Sequence, residues 1–377
     1  MIKKLQFVMS MLFISVLASA QVSQPPSGDN QKSEVSQWVG LVKVTINYSS
    51  PDVHGPNGED RKGKIWGGVV HYGYIDQGYG TSKAAPWRAG ANENTTISFS
   101  HDVKIGDKAV KAGTYGLFLE VQKDGPWTWI LSKDANSWGS YFYNPESDVV
   151  RVQSTPEESE YTEWLTFGFN DRKRNSANAF IQWENKRAGF RIDVPNANEL
   201  YVAKMQDELK GTTAAFQHDT YITAAAFCAQ NKVALEQGLK WADIAITDGF
   251  VGREDFTSLS TKAQVLTAMG KDAEVELVMD KAIKHPTATV QAIHQYARTL
   301  LGAGKKEKAM QVFQYNFKAH PEEKFTPNVG LARGYTALGD KKNAIKHWEA
   351  AIKNIPENQK QNLSFYEGEL KKLKEGA

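Results

Sequence analysis

Three glycines in the C-terminal half, Gly270, Gly304 and Gly339, recur at steps of 34 and 35, and Pro286, Pro321 and Pro356 keep a step of 35 beside them. A fixed period of this length confines the chain to stacked helical hairpins, because each unit has an apolar face that only its neighbours can cover. Each glycine stands where one helix ends in a left-handed backbone state that a Cβ opposes, and each proline stands where the next one ends. Stacks of this kind present binding surfaces more often than reaction centres.

The N-terminus bears on location. Residues 1–20 pair Lys3 and Lys4 with an apolar run from Leu5 to Leu17 and close with Ala18-Ser19-Ala20 ahead of Gln21, the pattern of a cleavable export signal peptide. That run is too short for a span, and no later stretch approaches about 18 uninterrupted apolar residues. The mature chain is therefore expected to be periplasmic or extracellular, with no transmembrane segment. Residues 21–34 are polar, contain Pro25-Pro26-Ser27-Gly28 and read as a flexible leader.

A mature chain of about 357 residues suits two domains. Basic and acidic residues number 45 and 43, without the clustered positive surface that nucleic-acid binding needs. Cys228 is the one cysteine, so no intramolecular disulfide can form; within Ala224-Ala225-Ala226-Phe227-Cys228-Ala229 it reads as a small buried apolar group.

Composition changes near Pro195. Eight of the ten tryptophans precede it, whereas Ala, Leu, Lys and Glu dominate afterwards. Val42, Val44, Ile46 and Tyr48 alternate with Lys43, Thr45 and Asn47, which puts one set on a core face and the other in water. Strands are read at about 95–105, 108–110, 114–121, 127–133, 148–154, 162–169, 178–184 and 187–194, with turns at Gly106-Asp107 and Asp124-Gly125-Pro126. The fold class is multidomain β then α: an antiparallel β-sandwich or barrel over 35–195, followed by an α-solenoid over 199–375. Between Pro51 and Pro86 the pattern breaks into a long loop carrying Tyr72, Tyr74 and Tyr79 beside glycines. These rings either stack on a sugar or partner, or fold back over the sheet edge.

The segment from Pro86 to Thr96, with Trp87, Arg88, Asn92 and Glu93, is joined by Ile105-Gly106-Asp107-Lys108, Gly113-Thr114-Tyr115-Gly116, Trp138-Gly139-Ser140-Tyr141, Asp148-Val149-Val150-Arg151-Val152 and Trp183-Glu184-Asn185. Together they resemble the bacterial exported proteins grouped as domain-of-unknown-function family 2911, over roughly 38–195. The resemblance implies no activity. This chain departs from it at Ser50, where the family often holds Arg, and at residues 73–85, which look like an insertion. Arg88, Asn92 and Glu93 in one turn, with Tyr48, Asp148 and Arg151, are candidate ligand-binding residues; the other reading pairs Arg88 with Glu93 or Asp148 in a structural network. A glycan hydrolase around Arg88, Asn92 and Glu93 is the alternative function, and it requires a second carboxylate opposite Glu93, from Asp148 or Glu184. No phosphate-binding loop, nucleophile elbow or spaced His/Cys set appears, so neither cofactor nor metal is expected.

From about 220 to 356 the repeat resembles the tetratricopeptide family. Leu331, Ala332, Tyr335, Gly339, Ala344, Trp348, Ala351 and Pro356 fall where that pattern takes small and large apolar residues, as do Tyr296, Ala297, Gly304, Ala309, Phe313 and Pro321; Asn316 replaces a small residue. The resemblance implies a concave groove lined by Gln264, Gln291, His294, Arg298 and Arg333, and Arg298 and Arg333 stand 35 apart. The groove would take an acidic or C-terminal segment of a protein partner, or pack on the chain's own sheet domain. The expected role is an exported non-catalytic binding or scaffold protein, with a carbohydrate or other envelope ligand on the β domain.

Overall fold

The computed structural model describes residues 25–375. The signal-peptide reading at 1–20 lies outside them. The chain divides into two compact units after Ala197.

The first unit holds β1 (Gln31–Val39), β2 (Val42–Ser50), β3 (Thr96–Phe99), β4 (Val103–Ile105), β5 (Lys108–Val110), β6 (Gly113–Glu120), β7 (Trp127–Ser132), β8 (Asp148–Ser154), β9 (Glu157–Lys173) and β10 (Ser176–Asp193). They form a six-stranded antiparallel sheet, β1-β2-β3-β6-β7-β8, and a four-stranded one, β5-β4-β10-β9. Side chains join the two sheets into a sandwich: Trp129 of β7 meets Phe167 of β9 at 6.2 Å and Phe190 of β10 at 5.2 Å, and Tyr48 of β2 meets Phe167 at 4.9 Å. Val42, Val44 and Ile46 are fully buried, as their alternation requires.

Three readings are corrected. The leader ends sooner than residue 34, because β1 begins at Gln31 and pairs with β2 along its whole length, Gln31 opposite Ser50 and Val39 opposite Val42. Residues 95–105 are not one strand; the chain turns at Ser100 and sends β3 and β4 to different sheets. Residues 178–184 and 187–194 are one strand, interrupted by an irregularity at Glu184, whose φ is +52°.

The long loop over 51–95 is packed. Val53, Ile65, Val70 and Ala85 in it are fully buried. Trp66 lies 4.7 Å from Trp127, 5.9 Å from Trp87 and 6.2 Å from Trp183, and Trp87 stacks on Trp183 at 6.3 Å. The indoles thus bind the loop to the sandwich, each removing a large apolar area from water. Tyr72 is tied by its hydroxyl to the Trp66 carbonyl, while Tyr79 stays 68% exposed.

The second unit contains α1 (Ala197–Glu208), α2 (His218–Asn231), α3 (Leu235–Thr247), α4 (Phe256–Ala268), α5 (Asp272–Ala282), α6 (Val290–Gly302), α7 (Lys306–Ala319), α8 (Thr326–Leu338), α9 (Lys341–Lys353) and α10 (Leu363–Glu375). Helices α2 to α9 form four consecutive hairpins, and α10 packs on α9. Gly270, Gly304 and Gly339 follow α4, α6 and α8 with φ of +73°, +76° and +78°, the left-handed state that the period requires. Small residues set the helix spacing. A Cβ on Gly330 would lie 2.5 Å from Phe313 Cδ1, and one on Gly238 2.6 Å from Cys228 Cβ. Burial raises the Cys228 thiol to about 11, so it stays protonated and serves as packing. Asn316 is fully buried, and its amide donates to the Val290 carbonyl at 3.0 Å, tying α7 to the first turn of α6.

Candidate functional site

The six candidates on the β unit do not converge. Ala89 and Asn92 both have positive φ, 52° and 55°, and this turn aims Arg88 inward. Arg88 Nη1 donates to the Asn92 carbonyl at 2.6 Å, and its guanidinium lies 5.6 Å over the Tyr141 ring. Arg88 therefore pairs with neither Glu93 nor Asp148, contrary to the network read from sequence. Glu93 instead takes Lys32 of β1 at 2.7 Å and the Ser49 hydroxyl at 3.2 Å. The Lys32 hydrogen bond foremost holds the Glu93 carboxyl below its usual range. Asn92 donates to the Ser27 carbonyl at 3.1 Å.

Around Glu93, Lys32, Ser33, Tyr48 and Ser49 line a cavity of about 250 Å³, and among the described residues no second carboxylate lines it. The opposed acid pair that glycoside hydrolysis needs is not assembled at Glu93. Glu184, offered as its partner, is buried elsewhere and accepts from the Gly63 amide.

Asp148 and Arg151 form a separate group. Arg151 reaches Asp148 at 2.7 Å, the Tyr143 hydroxyl at 2.9 Å and the Tyr74 hydroxyl at 3.2 Å, while Tyr143 donates to Asp148 at 2.7 Å. Burial raises the Tyr74 hydroxyl to about 12 and the Tyr143 hydroxyl further, so both remain protonated donors. Arg151, Tyr143 and Tyr74 line a cavity of about 560 Å³ together with Thr81 to Ala84. The insertion over 73–85 thus helps to build the cavity. Exposed rings adjoin it, with Tyr79 meeting Phe142 at 5.9 Å.

Sequence reasoning passed over a third cluster. His54 Nδ1 lies 2.7 Å from Glu163, which also accepts the His54 and Val53 amides and the Tyr161 hydroxyl at 2.5 Å. Burial works against the Glu163 charge, but the Tyr161 and His54 hydrogen bonds prevail and hold the carboxyl down at about 2. The same hydrogen bond and charge raise His54 above 6.5. By linkage, His54 stabilises the fold fully below pH 6.5, and that contribution is lost as pH rises through its elevated native value; the Glu163 contribution is present above pH 4.5 and lost as pH falls through about 2. An NMR titration of the His54 imidazole is expected to show a midpoint above 6.5 that returns toward that value in Glu163→Gln. A midpoint at or below it in the native chain contradicts the pairing.

In the helical unit, three of the five groove candidates come together. His294 packs on Phe313 at 5.4 Å and is flanked by Arg298 and Arg333; burial foremost, then Arg333 and Arg298, lower its pKa to about 4. The Arg333 guanidinium lies 5.8 Å over Trp348 and 5.5 Å over Phe365. Its Nε and His294 Nδ1 are buried without a hydrogen-bond partner among the described residues. Burial and Arg298 both disfavour the Arg333 charge, and neither arginine forms an ion pair among the described residues. Gln264 lies apart, lining a cavity of about 320 Å³ between α4, α5 and α6, and Gln291 is exposed in the first turn of α6.

The geometry defines a class: an antiparallel β-sandwich followed by a solenoid of helical hairpins, with an exposed Arg298 and a half-buried Arg333 that form no ion pair among the described residues. Residues 30–192, nearly all of the span from β1 to β10, match the family model described as "Protein of unknown function (DUF2911)". No curated protein matches the chain. Among solved structures, MamA (residues 41 to the end) from Desulfovibrio magneticus RS-1 is similar at 19% identity, covering 42% of this chain and 89% of that one with a TM-score of 0.28. MamA of AMB-1 is similar at 15% identity, covering 42% and 99% with a TM-score of 0.27.

Proposed function

We propose that this chain is an exported, non-catalytic binding or scaffold protein whose helical unit holds an acidic or C-terminal segment of a partner protein. The observation that carries this reading is the pair Arg298 and Arg333. They stand one repeat apart, both act on His294, and neither has a carboxylate within ion-pair distance among the described residues, Glu369 acting on Arg333 only at longer range. Two like charges brought near each other repel, and Arg333, unlike the exposed Arg298, is also partly desolvated, which adds to the cost. An incoming carboxylate relieves that cost through charge-assisted hydrogen bonds to the guanidinium groups. Export rests on the pattern of residues 1–20. The cavity at Arg151, with exposed Tyr79 and Phe142 beside it, supports a carbohydrate or other envelope ligand on the β unit, since exposed rings stack on sugars and Arg151 supplies directional donors.

The test is fluorescence anisotropy of labelled peptides ending in acidic residues, titrated with the full chain and with Arg298→Ala/Arg333→Ala. Saturable binding is expected that weakens with salt and falls by about thirtyfold or more in the double variant, the effect of truncating a desolvated charge partner. Equal affinity for a folded double variant, or for a basic control peptide, discards the reading.

A further inference from the structure

Opposite charges fasten the helices of this unit along most of its length. Lys262 of α4 meets Asp243 of α3 at 2.7 Å, Lys308 of α7 meets Asp280 of α5 at 3.0 Å, and Lys374 of α10 meets Glu349 of α9 at 2.6 Å. The junction of α7, α8 and α9 departs from that rule. Phe317, Lys318, Lys324, Tyr335, Lys346 and His347 line a cavity there of about 600 Å³, and among the described residues neither Asp nor Glu lines it. Lys318 and Lys346 form no ion pair among the described residues. The Lys324 ammonium bonds the Pro321 carbonyl in place of a carboxylate.

The cavity also has an aromatic wall. Tyr335 and His347 stack with centroids 5.5 Å apart and an angle of 12°, and Phe317 meets His347 edge-on at 5.9 Å. The Asn328 amide donates to the Lys324 carbonyl, so its oxygen faces His347 Nδ1 at 2.8 Å. The imidazole therefore donates through Nδ1 and keeps Nε2 as an acceptor. Burial and Lys346 lower the His347 pKa, which leaves the ring neutral.

We propose that this cavity binds a small anion carrying a planar ring, its phosphate or carboxylate held by Lys318, Lys324 and Lys346 and its ring set against Phe317 and the Tyr335–His347 stack. Three ammonium groups without a protein counter-charge among the described residues favour an anion. The volume lies within the range of small-ligand sites, and exposed aromatic edges reward a flat apolar body over a fully hydrated ion. This site is separate from the Arg298–Arg333 pair and does not depend on it.

The experiment titrates the full chain with phenyl phosphate and with inorganic phosphate at low salt, by calorimetry, and repeats it on Arg298→Ala/Arg333→Ala to exclude that pair as a second anion site. Saturable binding is expected, tighter for phenyl phosphate. Lys318→Ala/Lys346→Ala is expected to weaken both by about tenfold, the order of two charge-assisted contacts, and Phe317→Ala to narrow the gap between the two probes. Circular dichroism confirms that the variants fold, and Lys318→Gln/Lys346→Gln repeats the loss with the side-chain stems retained. Unchanged phenyl phosphate affinity in either lysine variant, loss of binding in the arginine variant, or no saturable binding overturns the proposal.

Discussion

Trp348→Ala is expected to cost the helical unit about 3–5 kcal/mol and to weaken acidic-peptide binding in the fraction that remains folded. Trp348 is only 1% exposed and sits among Phe325, Val329, Ala332, Ala351 and Tyr366, where α8, α9 and α10 meet. Removing the indole leaves a cavity that the three packed helices can close only in part. It also removes one of the two rings over which the Arg333 guanidinium is held. If the proposed groove binds as described, packing and binding are coupled through one side chain. Denaturant unfolding followed by far-UV circular dichroism measures the first effect, and peptide anisotropy in the absence of denaturant measures the second. Trp348→Phe should recover most of both. A Trp348→Ala chain with native stability would show that α10 does not close the stack as described.

Trp183→Ala is expected to cost the β unit a similar amount, about 3–5 kcal/mol, and to release the loop over 51–95. Trp183 is fully buried, stacks on Trp87, meets Trp66 and donates from its indole to the Glu163 carbonyl at 3.2 Å. It therefore links β10, β9 and the loop. Limited proteolysis should find cleavage between residues 51 and 86 in the variant that the native chain resists. Resistance equal to that of the native chain would mean that the loop is held by its own turns, not by the indoles.

The helical unit was legible because its signals are local. In three of the four hairpins a left-handed glycine after the first helix and a proline after the second report the backbone directly, and their period alone sets Arg298 and Arg333 at equivalent places in successive hairpins. The sheet was legible only where alternation is strong, as in Val42 to Ile46. β1 was not read as a strand, because it is an edge strand whose Gln31 to Glu34 bury little, so its residues can stay polar. The single long β10 escaped because Glu184, in a left-handed state, reads as a break. Side-chain pairing on the β unit was the least legible. Glu93 finds Lys32 across 61 positions, and Arg88 finds a backbone carbonyl instead of a carboxylate. Neither choice leaves a local trace. The His54–Glu163 contact spans 109 positions and was invisible for the same reason.

Hydrogen exchange of the full chain, with and without a saturating peptide ending in acidic residues, tests the central claim most directly. The account predicts added protection in α6 and α8 around Arg298 and Arg333, absent in Arg298→Ala/Arg333→Ala. Protection confined to the β unit, or no change at α6 and α8 under saturation, would contradict it.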